Sequence, residues 1–454
     1  MTTALMSPAA QSPPADEAAA SRAATRVLLG NWRGTTTVPS GSLYPHQWSW
    51  DSAFIALGLR HLSPRRAQSE LEHLLGAQWD DGRVPHIVFH PSVPLTAYFP
   101  SPDFWRSSTV GRHRGAPAGV ETSGIVQPPV HALAAWLVHL AAPKESRRRG
   151  FLPRLYPRLV AWHRYLADCR DLGGAGLAAI THPWEAGLDN SPVWDGPLGR
   201  VSPVEPGSYR RADLDHSAAA DRPTDLDYGR YVRLAADYRD SGYEDARAGQ
   251  AFAVEDPCFN TLLVLSEQAL ARIAAETGRD AAPHRERAAR LERTLLARLW
   301  DPEQQLFAAR DLLAPGGGAL LPGRSVAGLV PLALPGLPRA LASHLLDTLT
   351  GPHFRLGEVA LVPSYDLRGE AFDTSRYWRG PSWFNTAWLV HRGLLTQGAH
   401  QQAAALREQF WRSAAASGFA EYLDPLTGAG RGARDFSWTA ALALDLLRSE
   451  GNLT

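Results

Sequence analysis

Apolar side chains recur three and four positions apart over most of the chain, the spacing that gathers them on one face of an α-helix. Residues 21–32 show it first, with Ala24, Val27 and Leu28 on one face. An aromatic, polar stretch from Tyr44 then feeds an apolar helix over 53–62, and a second helix follows over 64–78 with Leu71, Leu74 and Leu75 inward. The same periodicity predicts helices over 129–140, 150–169, 226–238, 256–277, 282–300, 334–349, 382–396, 400–415 and 436–448. Gly316, Gly317 and Gly318 mark a loop tip, and strand signals are few and short. About a dozen helices arriving in pairs cannot each bury an apolar face alone, so the pairs must stack as a solenoid or a closed ring. A closed ring gathers alternate connections at one rim.

Those connections are where the polar and aromatic residues lie. Residues 79–127 and 182–224 are long and rich in Pro, Gly and rings, and connections of that length inside a compact domain are usually functional. Both are expected to form a cap over the rim of a single all-α domain covering 19–454. Within the second, residues 203–216 are a candidate mobile lid. Residues 1–18 carry little apolar side chain and are expected to be disordered.

Composition narrows the chemistry. With 44% hydrophobic and 20% charged residues among 454, the chain reads as a soluble globular protein with a sizeable core. Formal net charge is zero and the arginines are scattered, so no basic stripe suited to nucleic acid is present. The short run Arg147-Arg148-Arg149 is read as solvating a helix start. No apolar run reaches membrane-spanning length, and the N-terminus lacks a basic start followed by an apolar core, which points to the cytoplasm and away from membranes. Cys169 and Cys258 sit in apolar helical patterns and are read as reduced core residues, while His46, His86 and His182 lack metal-ligand spacing. No cofactor is implied. Fifteen tryptophans lean towards carbohydrate, because indoles pack on the apolar face of a sugar ring.

The densest chemistry lies at residues 182–195, His-Pro-Trp-Glu-Ala-Gly-Leu-Asp-Asn-Ser-Pro-Val-Trp-Asp. Glu185, Asp189 and Asp195 stand beside Trp184 and Trp194, and an indole wall that excludes water raises a carboxyl pKa towards the range of a general acid. A second candidate, Glu421, follows a helix and precedes a Pro/Gly turn, where a carboxylate can polarise a water. Either stretch could instead be an acidic surface turn. Tyr44, Trp48, Trp50, Asp51, Gln127, Asp366, Tyr377, Trp378 and Trp383 offer carboxyl, amide and ring groups suited to sugar hydroxyls and faces, although Trp383 and Trp388, at helical spacing, read more readily as core. Arg222, Tyr228, Arg230 and Tyr231 form a basic aromatic group able to clamp a carboxylate, with Arg230 expected to pair with Asp225 or Asp227 at the surface.

Taken together, the stretches beginning at Tyr44 (YPHQWSWDSA), Gln78 (QWDDGRVPHIVF), Trp184 (WEAGLDNSP), Tyr377 (YWRGPSW), Glu421 (EYLDP) and Asp435 (DFSWTA) resemble the bacterial mannosylglycerate and glucosylglycerate hydrolases of glycoside hydrolase family 63. The resemblance implies an (α/α)6 barrel and hydrolysis of an α-glycoside with inversion. It makes Asp189 the general acid and Glu421 the base, their carboxyls roughly 6.5–9.5 Å apart to admit a water. It assigns Trp48, Trp50, Asp51, Gln127, Tyr377 and Trp378 to the sugar subsite and Arg222 and Tyr228 to the glycerate carboxylate. The chain departs from the family pattern at Ala186 and Ala420, where a small polar and an aromatic residue are usual.

The expected partner is a small charged glycoside, with homo-oligomerisation left open. The rival readings are a trehalase-like or debranching α-glucosidase on the same architecture, a sugar epimerase or isomerase using histidines, and a sugar-binding protein without turnover.

Overall fold

The computed structural model describes residues 16–215 and 219–449. The tail expected at 1–18 lies, for residues 1–15, outside the described part, and the expectation is corrected for 16–18: Asp16 caps the first helix by accepting the Ala19 N–H, so helix begins at Glu17. The cap, not the first apolar residue, sets that boundary.

Among the described residues, twelve α-helices of eleven or more residues carry the fold: α1 (Glu17–Gly30), α2 (Ser49–Leu59), α3 (Pro64–Gly76), α4 (His131–Ala141), α5 (Phe151–Cys169), α6 (Asp225–Asp240), α7 (Pro257–Glu276), α8 (Ala282–Leu299), α9 (Arg339–Thr350), α10 (Phe384–Thr396), α11 (His400–Ala416) and α12 (Ser437–Arg448). They sort into two rings. Each inner element packs on the next in the order α2, α4, α7, a 3-10 helix at Val326–Ala333, α10 and α12, and α12 closes the circle against α2. Outside them stand α1, α3, α5, α8, α9 and α11, giving the (α/α)6 barrel.

The sequence explains the sorting. Every position of α2 is buried, as an inner helix touched on all sides requires. By contrast α3, capped by Ser63 and opened by Pro64, buries only the stripe Ala67, Gln68, Glu70, Leu71, Leu74 and Leu75. The α2 and α12 backbones meet at Gly58, where an added Cβ would lie 2.4 Å from the Ala441 Cα.

Three expectations are corrected. Helix α6 has the predicted extent but is not a barrel helix: it packs on the short helices Pro102–Trp105 and Asp245–Ala248 in the cap. The sixth inner place belongs to the Val326–Ala333 helix, fully buried but held to 3-10 geometry around Pro331, which supplies no N–H. Helix α9 accordingly starts at Arg339, after Pro335 and Pro338, and not at 334. The run Arg147–Arg149 closes the helix Pro143–Arg149 rather than opening one, where three guanidinium groups complement the helix dipole.

Two-residue strands lead straight into inner helices. Gln47–Trp48 pairs antiparallel with Ile87–Val88 and enters α2, and Ser382–Trp383 pairs with Tyr422–Leu423 and enters α10. Gln127 and Phe436 occupy similar lead-in positions before α4 and α12. Side chains next to the N-terminal ends of inner helices therefore collect at one rim, and helix N-termini favour anionic groups. No described helix is long and apolar enough to cross a membrane.

Candidate active site

The rim holds a cleft of about 690 Å³, its open mouth included, and among the sequence candidates Tyr44, Trp48, Trp50, Asp51, Gln127, Asp189, Arg222, Tyr228, Tyr377, Trp378 and Glu421 line it. They come from six separate parts of the chain, which only ring closure brings together.

Glu421 precedes the strand Tyr422–Leu423 and is 1% exposed. Its carboxylate accepts hydrogen bonds from the Tyr44 hydroxyl at 2.9 Å and the Ala433 N–H at 3.0 Å. Gly432, at φ +68°, makes room for it, since a Cβ there would lie 2.4 Å from Glu421 Oε2. Burial raises the Glu421 pKa, while Arg222, the Ala433 N–H and the Tyr44 hydroxyl oppose the rise.

Asp189 stands elsewhere on the rim and is partly open to the cleft. It ends a short path: a 3-10 turn at Pro183–Ala186, then Gly187 at φ +72°, then Leu188. Gly187 is required twice over, by its left-handed backbone and by the Trp50 indole, which a Cβ would meet at 2.4 Å. Withdrawal from water pushes the Asp189 pKa up to about 7, against the pull of Arg222 and with a further push from Glu421. Asp51, in the first turn of α2, is raised well above the usual range by burial, then by Glu421 and Asp189. Three acids thus share one dry site: Asp51 feels the charges of Glu421 and Asp189, and Asp189 feels that of Glu421.

Arg222 is the buried cation among them. Its Nε donates to Asp213 at 3.2 Å, its Nη1 donates to the Tyr44 hydroxyl at 3.3 Å, and its plane lies 4.2 Å from the Tyr377 ring centroid. Among the described residues its Nη2 makes no hydrogen bond. Tyr44 therefore links Arg222 to Glu421, and its hydroxyl lies 3.5 Å from that of Tyr377.

The walls are aromatic. Trp378 stacks on Trp383 at 3.9 Å and 3°, and Trp383 on Tyr422 at 4.5 Å, so Trp383 lines the cleft as well as packing the core. Trp388, its partner in the helical spacing, is core: its indole N–H donates to Asp445. Gln127 accepts the Trp50 backbone N–H at 3.1 Å. Tyr228 donates to the Phe99 carbonyl at 3.0 Å while facing the cleft. Tyr377 holds φ +39°, an uncommon conformation for a side-chain-bearing residue and one that clusters at functional sites.

Other residues named from the sequence are held away from the cleft. Glu185 is wholly buried and paired with Arg170, so it does not face the cleft. Asp195 is exposed and forms a fork with Arg379. Asp366 binds His353 away from the cleft. Arg230 pairs with neither expected acid: its Nε donates to the Val201 carbonyl, while Asp225 binds Arg211 and Asp227 caps α6. His182 caps the Pro183 turn and binds the Tyr231 carbonyl. Both cysteines are free. Among the described residues no group of three or more His, Cys, Asp or Glu is placed to hold a metal ion.

Asp213, Tyr98, Trp438 and Phe436 also line the cleft and were missed as site residues. Asp213 lies in the 203–216 segment, of which residue 216 is outside the described part. It accepts from both Arg211 and Arg222, which together overcome burial and hold its pKa below the usual value. The run Arg210-Arg211-Ala-Asp213-Leu-Asp215, two bases followed closely by two acids, was the available signal.

A double helical ring whose rim sets paired carboxyls among indole and phenol rings has the make-up of a glycoside hydrolase. Comparison with known proteins narrows the class. Residues 44–439 match the mannosylglycerate hydrolase MGH1-like glycoside hydrolase domain, and the chain belongs to that family. It is 41% identical over 430 residues to a mannosylglycerate hydrolase of Rubrobacter radiotolerans, covering 93% of this chain and 96% of the relative. A glucosylglycerate hydrolase of Mycolicibacterium hassiacum is 38% identical over 436 residues, covering 93% and 96%. The crystal structure of a family 63 mannosylglycerate hydrolase from Thermus thermophilus, in complex with Tris and D-glycerate, superposes with a TM-score of 0.86 at 39% identity, covering 94% of this chain and all of the other.

Proposed function

We propose that this chain hydrolyses a small 2-O-α-glycosylglycerate, with mannose or glucose as the sugar, to free sugar and glycerate with inversion. The observation that carries the reading is that Asp189, Glu421 and Arg222 line one aromatic cleft. The relatives' names support it: they agree on glycerate and differ on the sugar.

The roles follow from the surroundings of each acid. Asp189, with a pKa near 7 because burial and the Glu421 charge outweigh Arg222, its own N–H and the Tyr377 hydroxyl, holds a proton through much of the neutral range, so it can donate to the glycosidic oxygen. Glu421 accepts from two fixed donors and faces Arg222, and all three favour its anion. As the bond between C1 and the glycosidic oxygen breaks, the Asp189 proton passes to the departing glycerate hydroxyl. A water on the opposite face bonds to C1 and gives its proton to Glu421. Asp189 ends ionised and Glu421 protonated, and exchange with solvent resets both. Trp50, Trp378 and Asp51 would hold the sugar, and Arg222 and Tyr228 the glycerate end.

The test is a substrate pair. Arg222→Ala should lower kcat/KM on the glycosylglycerate roughly 10- to 100-fold more than on a neutral α-glycoside of the same sugar, the range expected for a charge-assisted hydrogen bond. Equal loss on both would remove the glycerate assignment and favour a neutral α-glucosidase.

A further inference from the structure

Glu185 lies four residues before Asp189, is wholly buried, and does not touch the cleft. Its carboxylate is nevertheless among the most heavily bonded in the molecule. Arg170 donates to both oxygens, Nη1 at 2.6 Å and Nη2 at 2.7 Å. The Thr181 N–H donates at 2.7 Å, the Thr181 hydroxyl at 3.3 Å and the Val126 N–H at 3.2 Å. Arg170 cannot swing, because its Nε is held by Asp245 at 2.9 Å and by the Tyr165 hydroxyl at 3.1 Å.

These bonds close a circuit around the acid loop. Val126 precedes Gln127, Gln127 accepts the Trp50 N–H, and the Trp50 indole packs against Gly187, which lies between Glu185 and Asp189. On the far side of Asp189, Asn190 accepts the Trp378 backbone N–H at 3.0 Å, and just before Asp189 the Leu188 carbonyl accepts the Trp194 indole N–H at 2.8 Å. The segment is therefore pinned after Asp189 by the sugar wall, and before it by one carboxylate and one guanidinium in a dry interior.

We propose that the buried Arg170–Glu185 pair is the positioning device for the acid, fixing where the Asp189 carboxyl meets the glycosidic oxygen and tying that place to the sugar wall through Val126. The inference rests on the reading of Asp189 as proton donor. A fork of two parallel N–H···O bonds fixes angle as well as distance, which a single contact cannot do. Proton transfer demands that geometry, because a donor displaced by about an ångström loses much of its effect.

A merely structural pair and a positioning pair are told apart by the leaving group. An α-glycosyl fluoride departs without a proton, whereas glycerate needs one. Wild type, Asp189→Asn, Glu185→Gln and the double variant Arg170→Gln/Glu185→Gln are assayed on the glycosylglycerate and on the α-fluoride of the same sugar, at a temperature where circular dichroism shows each folded. The double variant leaves no buried charge of the pair unmatched, so it serves if Glu185→Gln does not fold. Expected for either folded variant is a 10- to 100-fold fall in kcat on the glycosylglycerate, KM within about threefold, and fluoride hydrolysis within about threefold of wild type, the pattern of Asp189→Asn in milder form. Equal falls on both substrates, unchanged kcat on the glycosylglycerate, or failure of both variants to fold would overturn the proposal in favour of a purely structural pair. Wild-type inactivity on the glycosylglycerate, or an Asp189→Asn that harms both substrates alike, would instead contradict the functional reading beneath it.

Discussion

Asp189 and Glu421 are both withdrawn from water, yet the chain treats them differently. Glu421 adjoins a paired strand and accepts an N–H and a phenol, bonds that a protonated carboxyl would use less well. Asp189 sits at the end of a loop, partly open to the cleft, with a pKa pushed up to about 7. Burial alone raises both. A backbone N–H and a tyrosine hydroxyl oppose the rise at each; what separates the proposed acid from the proposed base is that the Glu421 charge pushes Asp189 further up, while Glu421 is held by the close bonds from Tyr44 and Ala433.

The sharpest way to break this contrast is to remove each carboxyl. Asp189→Asn and Glu421→Gln should each lower kcat on the glycosylglycerate roughly 10²- to 10⁴-fold, the usual weight of a positioned acid or base. On the α-fluoride only Glu421→Gln should remain as damaging, since the nucleophilic water still needs its base. Equal behaviour of the two on both substrates would erase the distinction.

Tyr44→Phe is a smaller change that acts on one side only. Without the phenol Glu421 loses a donor, its pKa rises, and the rising limb of the pH profile moves to higher pH, because the base must be ionised to act. The falling limb should stay near its wild-type place. In wild type that limb belongs to Asp189: kcat/KM should decline as pH climbs through about 7, since the acid must hold its proton, and a profile flat to pH 9 would contradict the assignment.

The smallest expected effect on chemistry comes from the barrel. Gly58→Ala forces a Cβ against Ala441 and should cost about 1–3 kcal/mol of stability, read as a lower melting temperature, with both pH limbs unmoved. A shifted limb would mean that the ring and the site are not separable.

The same division between ring and rim governs what the sequence could disclose. Apolar periodicity finds α3, α5, α8 and α11 because outer helices present one dry face and one wet face. It cannot tell α6 from a barrel helix, since a cap helix has the same two faces. It does not see Val326–Ala333, whose buried positions are continuous and interrupted by Pro331. At the site, eleven of the residues named from the sequence are brought by the ring to one cleft, but local composition cannot say which acid of residues 182–195 faces inward. Glu185 turns away because Arg170, fifteen positions earlier, takes it, and Asp195 because Arg379 does. Asp213 was hidden for the same reason: its partner Arg222 is a tertiary neighbour.

The central claim is a proton donor and a water-activating base acting on opposite faces of one sugar. Proton NMR of the sugar in the first moments after mixing enzyme with the α-glycosylglycerate tests it most directly. Inversion releases the β-anomer first, which then mutarotates to the equilibrium mixture, whereas initial release of the α-anomer would rule inversion out.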